Sequence, residues 1–487
     1  MDFNREICFL APDAAIPPVT TGVCELQEEF QSLVPSNTCF RFVFGGRVKE
    51  SMPFLHGFRR IIYEYQPLVD TVLSIVGVEG SASPQARISN IEKEGALCHS
   101  LVEFLEKESQ SMVFEEGISY ALFKVAEHGL VFAAEVLLRY GADLNFEDPV
   151  SYYNPLHIAV LRNRPEMVQA LVHHGANINK RDRIHDCSPL DLASEELEKL
   201  PCLRVLLHLG ADINSSDKCG KTALLHAFAI SDGITINNTA NIQLLLEKGA
   251  DVQAATEDGE TALSSLVFLV KEALEGNAED VRAVGRFCLA VTRVLLVHGA
   301  DPGCCDGDGD EPSLTQTCLE HFDLLFPLAA LLLQSGAAFR CSCRGAPCWT
   351  GQGLIFGRLA AALRENPDPE AAGEAFAGAE FLLELAQATS PTLPLTSGLD
   401  LPAVTEQDRH GRALLDFRRR VWDRESGPPP LHSLCRAFIR QSLQPWPLDS
   451  KVKALPLPDR MKEYLLPELA YKPKPGQESF KPHRPLR

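Results

Sequence analysis

Leu431, Cys435 and Ile439 stand at i, i+4 and i+8, so they share one face of a helix, and Leu434 and Phe438 widen the same apolar stripe. The chemistry such a face offers is burial against a partner rather than bond making. Each large apolar side chain covered is worth about 1.5–3 kcal/mol. Pro428, Pro429 and Pro430 stop the helix upstream and Pro445 ends it downstream. The spacing therefore predicts a helix of about four turns, in a segment too short to cover its own face. Sixteen residues after Ile439 comes a second short element, Leu455-Pro456-Leu457-Pro458.

Covalent and metal chemistry find little support in the residue pattern. Cys341, Cys343 and Cys348 form the densest cysteine cluster, with Cys304 and Cys305 upstream. Zinc sites usually pair cysteines with two to four residues between them and supply a second matching pair; Cys341 and Cys343 have one residue between them and the second pair is missing. These cysteines are read as packed in and after the last repeat described below. No Gly-x-x-x-x-Gly-Lys-Ser/Thr loop and no Gly-x-Ser-x-Gly elbow occurs. Asp306-Gly-Asp-Gly-Asp310 resembles the start of a calcium loop, but Glu311 comes too early to complete one. No catalytic residue, metal ligand or cofactor is expected.

The 487 residues allow two or three compact units, and 45% hydrophobic content is ordinary for a soluble protein. A net charge of −19 argues against nucleic acid and anionic membrane surfaces as partners. The basic exception is the Pro-rich tail Tyr471–Arg487, with Lys472, Lys474, Lys481, Arg484 and Arg487, expected to be disordered. Fifteen cysteines without regular spacing, no signal peptide and no apolar run near the length of a membrane span point to reduced thiols in the cytosol or nucleus, with a cytoplasmic protein the expectation.

The elements that must position the C-terminal stripe repeat along the chain. A helix followed by Gly-Ala recurs at Gly141, Gly175, Gly210, Gly249, Gly299 and Gly336, with spacings of 34, 35, 39, 50 and 37 residues. Glycine there supplies a left-handed helix cap. Helix openings recur too: Asn154-Pro155-Leu156-His157, Ser188-Pro189-Leu190-Asp191, Thr222-Ala223-Leu224-Leu225 followed by His226, and Thr261-Ala262-Leu263-Ser264. Asn, Ser or Thr caps the helix, Pro suits its first turn and Leu enters the core. The period and both signatures resemble ankyrin repeats. In that setting the histidines serve turn hydrogen bonds, not catalysis or metal binding. Gly117–Asn145 is expected to form the first repeat, with Ser119-Tyr-Ala-Leu122 where the opening motif would stand.

Leu-x-x-x-Cys-x-x-x-Ile after proline, followed by Leu-Pro-Leu-Pro, resembles a SOCS box. Together the two features resemble the ankyrin repeat and SOCS box family. Phe146-Glu-Asp-Pro, Ser188-Pro-Leu-Asp-Leu-Ala-Ser-Glu-Glu196, Leu443-Gln-Pro-Trp-Pro447 and Lys451–Arg460 extend that resemblance over most of Met52 to about Leu466, leaving residues 1–51 outside it. It implies that Leu431, Leu434, Cys435, Phe438 and Ile439 bind elongin C, which brings elongin B. It implies likewise that Leu455, Pro456, Leu457 and Pro458 select cullin 5 with its RING subunit. A further helix with Met461, Tyr464, Leu465 and Leu466 would close the small domain. The repeats would hold an unidentified target protein. The function implied is a non-catalytic substrate adaptor of a ubiquitin ligase; no catalytic cysteine of its own and no RING ligand set is legible. A plain ankyrin scaffold, with the C-terminal helix packed on its own chain, is the alternative.

The expected fold is all-α: an ankyrin-repeat solenoid of about six repeats followed by a small three-helix SOCS box. Expected boundaries are 1–51 for an N-terminal extension (disordered, or preceding an alternative start), 52–116 for a helical cap and 117–345 for the repeats. A helical and Pro-rich linker region at 346–424, the SOCS box at 425–470 and the basic tail at 471–487 complete them. Helices are predicted at Phe376–Ala388 and around Ala413–Val421, with Thr389–Glu406 as linker.

Overall fold

The computed structural model describes residues 65–78, 91–228, 238–302, 312–340, 349–365, 369–389, 409–425, 430–443 and 447–466. All of them fall within one unit, Phe54–Arg487. The described residues are helical, joined by turns and three isolated bridges, with no strand among them. Residues 1–51, the cysteines at 304, 305, 341, 343 and 348, the Asp306–Asp310 turn, the linker beyond Thr389 and the tail from Tyr471 lie outside the described residues.

Helices come in pairs. The six repeats are α3 and α4 (Phe114–His128, Val131–Arg139), α5 and α6 (Pro155–Leu161, Pro165–His173), α7 and α8 (Pro189–Ser194, Leu200–His208), α9 and α10 (Ala223–His226, Thr239–Glu247), α11 and α12 (Ala262–Leu274, Ala278–Val297), and α13 and α14 (Leu314–Glu320, Phe322–Gln334). First helices pack on first helices and second on second along the stack. A pair before them, α1 and α2 (Gln66–Ile75, Ile91–Glu108), packs on α3 and α4 in the same register. A pair after them, α15 and α16 (Gly351–Glu365, Pro369–Thr389), packs on α13 and α14. The described residues from 349 to 389 thus continue the stack. Arg358 of α15 donates to Asp323 of α14 through Nε at 2.8 Å and Nη2 at 2.7 Å. Helix α17 (Arg409–Glu425) then buries Phe417 against Phe356 and Phe376, with ring centres 5.3 and 5.4 Å apart.

The glycines do what their spacing predicts. Gly141, Gly175, Gly210, Gly249, Gly299 and Gly336 have φ between +86° and +97°. The following alanine amide reaches back to the carbonyl of a leucine five residues earlier, Leu137, Leu171, Leu206, Leu245, Leu295 or Leu332. That bond closes a Schellman motif at each helix end. The same leucines are buried in the shared core, so one residue both ends the helix and holds it to its neighbours. Polar side chains in the loops link successive repeats. Asn179 accepts from the Asp212 amide at 3.0 Å, Asn214 accepts from the Asp251 amide at 2.8 Å, and Gln253 donates to the Gly299 carbonyl at 2.8 Å.

Asn154, Ser188 and Thr261 cap their helices, each answered by a side chain three residues on. Two openings differ from expectation. Thr222 makes no capping bond, and the residue three on, Leu225, has no polar group to return to the cap. In the first repeat the helix starts at Phe114, so Ser119 lies inside it, accepting from the Asp143 amide at 2.9 Å. The flanking helix α1 packs on this helix. Its Leu68 sits against Gly117, where a Cβ would meet it at 3.2 Å.

His157 follows the structural reading given to the repeat histidines. Its Nδ1 lies 2.7 Å from Asn154 Oδ1 and its Nε2 3.3 Å from the Cys187 carbonyl of the next repeat. Burial pushes its pKa down from 6.5 to about 4, so the ring is neutral at pH 7. The unfolded chain takes up that proton first as pH falls. Stability present above pH 6.5 is therefore lost between 6.5 and about 4. The expected loss is of order 3 kcal/mol, and urea titrations across this range should show a shallower decline in His157→Asn. A second expectation concerns the caps. Gly210→Ala meets no atom within 4 Å, so only backbone strain acts, and the urea midpoint should fall by an amount equivalent to about 1 kcal/mol.

Candidate docking site on the C-terminal helix

Helix α18 (Leu431–Ser442) starts at Pro430, whose extended backbone (φ −59°, ψ 146°) cannot continue upstream as helix. The Ser433 and Leu434 amides donate to the Pro430 carbonyl at 2.9 and 3.2 Å. Twelve residues make a little over three turns, shorter than the four predicted, because the helix stops at Leu443, ahead of Pro445.

The helix lies against α16 with its charged residues inward. Arg436 and Arg440 are only 7% and 2% exposed, with Ala437 buried between them. Arg440 Nη1 donates to the Leu465 carbonyl at 2.6 Å and Nη2 to the Gln334 carbonyl at 3.2 Å. Gln334 is the last residue of α14, so one side chain joins the C-terminal domain to the last ankyrin repeat. Arg436 Nη1 lies 3.9 Å from Glu384 of α16, and its guanidinium sits 4.8 Å from the Tyr464 ring centre. A buried guanidinium is tolerated only where acceptors or an aromatic face meet it.

The opposite face is apolar and in water. Leu431 is 76% exposed and Phe438 71%, and Leu434 and Cys435 are exposed beside them. The fifth residue of the predicted stripe, Ile439, turns partly inward. It packs with Leu443, Leu455 and Leu457 around a small core of Leu448, Val452, Leu465 and Leu466.

Helices α19 (Leu448–Ala454) and α20 (Asp459–Leu465) build that small core, so the domain has three helices. Between them the backbone runs extended at Leu455 (φ −66°, ψ 142°) and Pro458 (φ −56°, ψ 147°). Leu455 and Leu457 are half-buried in the core, whereas Pro456 and Pro458 face solvent. Lys451 Nζ donates to the Leu443 carbonyl and Lys462 Nζ to the Lys453 carbonyl, both at 2.9 Å. These bonds hold the Leu-Pro-Leu-Pro segment between two fixed helices. Of the four residues expected to close the domain, Leu465 and Leu466 do so. Met461 and Tyr464 stay at the surface, 52% and 36% exposed. A helix of seven residues has one inward face, and the Tyr464 ring is taken by His432, 5.6 Å away, and by Arg436.

The two buried arginines are the residues that sequence reasoning missed. Their signal was present: Arg436 and Arg440, four apart, oppose the apolar stripe, a pattern that also describes an ordinary solvent-facing charged edge.

Residues 427–466 match the SOCS box family, residues 92–182 match ankyrin repeats (3 copies) and residues 190–236 match ankyrin repeats (many copies). The chain is 53% identical over 419 residues to ankyrin repeat and SOCS box protein 6 of Homo sapiens, covering 86% of this chain and 98% of that protein. The protein of that name from Mus musculus is 52% identical over 418 residues, 85% of this chain and 98% of the relative. Ankyrin repeat protein nuc-2 of Neurospora crassa is 33% identical over 101 residues, 21% of this chain and 9% of the relative.

Arg440→Met keeps most of the volume and removes the donors to both carbonyls. It should cost about 2–4 kcal/mol of docking. Amide hydrogen exchange should quicken across Leu431–Leu465 and stay unchanged in α5 to α12.

Proposed function

The chain belongs to the ankyrin repeat and SOCS box family, and on that premise we propose that it is a substrate-recognition adaptor of an elongin B/C–cullin 5–RING ubiquitin ligase. The observation that carries this reading is the orientation of α18: an apolar face in water on a helix whose charged face is buried. A helix made only to pack on its own chain would be turned the other way. Leu431, Leu434, Cys435 and Phe438 are assigned to elongin C, with Ile439 supporting them from the small core. Covering Leu431 and Phe438 alone is worth about 3–6 kcal/mol. Leu455, Pro456, Leu457 and Pro458 are assigned to cullin 5. The two prolines present the contact while the two leucines anchor the segment.

The ankyrin stack, proposed as residues 117–345, would hold the target on its loops and first helices. Val150 and Ile184 in the loops and Phe268 on α11 are exposed apolar groups suited to that task. The mechanism is positioning. The Arg440 contact to Gln334 holds the stack and the C-terminal domain in one geometry, so a bound target stays near the charged conjugating enzyme at raised effective concentration. Transfer of ubiquitin belongs to other subunits, and no residue of this chain is assigned to catalysis. No helix among the described residues is long and apolar enough to cross a membrane.

The test is co-purification with elongin B, elongin C and cullin 5. Proline at Leu431 would be a poor probe, because that residue is the first of the helix, where proline is tolerated. Leu431→Asp/Phe438→Asp places charges on the exposed face without touching the buried one. Wild type is expected to retain all three proteins and the variant to lose them with its thermal midpoint unchanged. Failure of wild type to retain elongin C, or full retention by the folded variant, would sink the adaptor reading. The first of these results would leave a plain ankyrin scaffold.

A further inference from the structure

The junction of the third and fourth repeats brings together three donors of different kinds. The Cys187 thiol, the Glu195 carboxylate and a ring nitrogen of His226 all lie within 4.8 Å of one another. Cys187 precedes the cap of α7, Glu195 follows the last residue of α7, and His226 ends the single turn of α9. Their convergence depends on the stacking of one repeat on the next, and no sequence spacing announces it.

His226 differs from His157 in what it does. It stands one place later in its motif, so Leu225 occupies the position from which His157 serves its cap. Its Nε2 lies 3.1 Å from Asp217 Oδ2, and its Nδ1 faces Glu195 Oε1 at 3.5 Å. Asp217 is itself held, since its other oxygen accepts from the Cys219 and Lys221 amides at 2.8 Å each. A carboxylate fixing one ring nitrogen while the other faces further donors is the usual outer support of a metal-bound histidine. Cys187 is likewise fixed through its backbone, its amide on Asp182 at 2.8 Å and its carbonyl beside His157. Its sulfur has a weak approach of 3.9 Å to the His185 carbonyl.

We propose that Cys187, Glu195 and His226 bind a divalent transition metal of the zinc type, which ties the third repeat to the fourth. Thiol, imidazole and carboxylate are together a zinc donor set, and the thiol disfavours calcium and magnesium. Asp182, Asp191 and Asp217 are close around the site, countered there by Arg181 on Asp191. A cation would offset that surplus of negative charge. Without metal, burial and the neighbouring carboxylates push the Cys187 thiol up. For His226, burial alone would lower its pKa, but the Glu195 hydrogen bond and the charges of Asp191, Glu195 and Asp217 outweigh it and raise it. Binding therefore releases protons and tightens with pH. Glu195 is the one of the three donors that is partly exposed; Cys187 and His226 are buried.

The test uses the full chain, freed of metal by chelation and titrated with Co²⁺. A thiolate-to-cobalt charge-transfer band is expected, absent in Cys187→Ser and retained in Cys219→Ser, which alters an exposed thiol nearby. A chain with no such band, or one whose band persists in folded Cys187→Ser, overturns the site; persistence would place the cobalt on other cysteines. Should Cys187→Ser fail to fold, Glu195→Gln gives a second reading. It should weaken cobalt binding by more than the roughly tenfold that loss of an outer-shell partner costs and reduce the rise in melting temperature that Zn²⁺ gives to wild type. Equal stabilisation of both proteins by Zn²⁺ would count against the proposal as firmly as the missing band.

Discussion

Two buried guanidinium groups set which way the C-terminal helix faces. Arg440 spans from the Leu465 carbonyl to the Gln334 carbonyl, and Arg436 lies between Glu384 and the Tyr464 ring. Rotating α18 to bury Leu431 and Phe438 would strip both arginines of these partners. The arginines would then be hydrated, but the Leu465 and Gln334 carbonyls would face apolar side chains without a donor, at a cost of about 1–3 kcal/mol each. The apolar stripe is therefore held outward by what happens on the other side of the helix. The exposure of that stripe and the contact between the C-terminal domain and the repeats share this one cause.

The stack supplies the platform on which those arginines land. No repeat can cover both of its helices alone, so each depends on its neighbours, and the two ends need covers. Helices α1 and α2 cover one end. At the other, α15 and α16 prolong the same register, and α16 then presents the surface that receives α18. The leucine and glycine that end each second helix repeat this solution six times. The Asn179, Asn214 and Gln253 side chains link the loops across it.

Much of this was legible beforehand, and the failures have physical causes. The caps at Asn154, Ser188 and Thr261 follow from short-range chemistry, which a motif records directly. Thr222 has the same residue type as Thr261 and makes no capping bond, a difference the motif does not record. Helices near Phe376 and Ala413 were readable from periodicity. Their place as a further layer of the stack was not, since α15 and α16 lack the Gly-Ala signature. Ile439 reads as one more member of an apolar stripe, yet it belongs partly to the small core made by α19 and α20.

The chain's own sequence determined the all-helical fold, the positions of its left-handed caps, the stripe of Leu431, Leu434, Cys435 and Phe438, and the family to which it belongs. All of these rest on contacts between residues a few positions apart, where spacing maps directly onto geometry. Tertiary structure alone decided that the stripe faces water, that Arg440 reaches back 106 residues to Gln334, and that Cys187, Glu195 and His226 meet at a repeat junction. Those outcomes depend on how distant elements pack. A charged edge reads the same in sequence whether it meets solvent or a neighbouring helix, and the packing makes the difference.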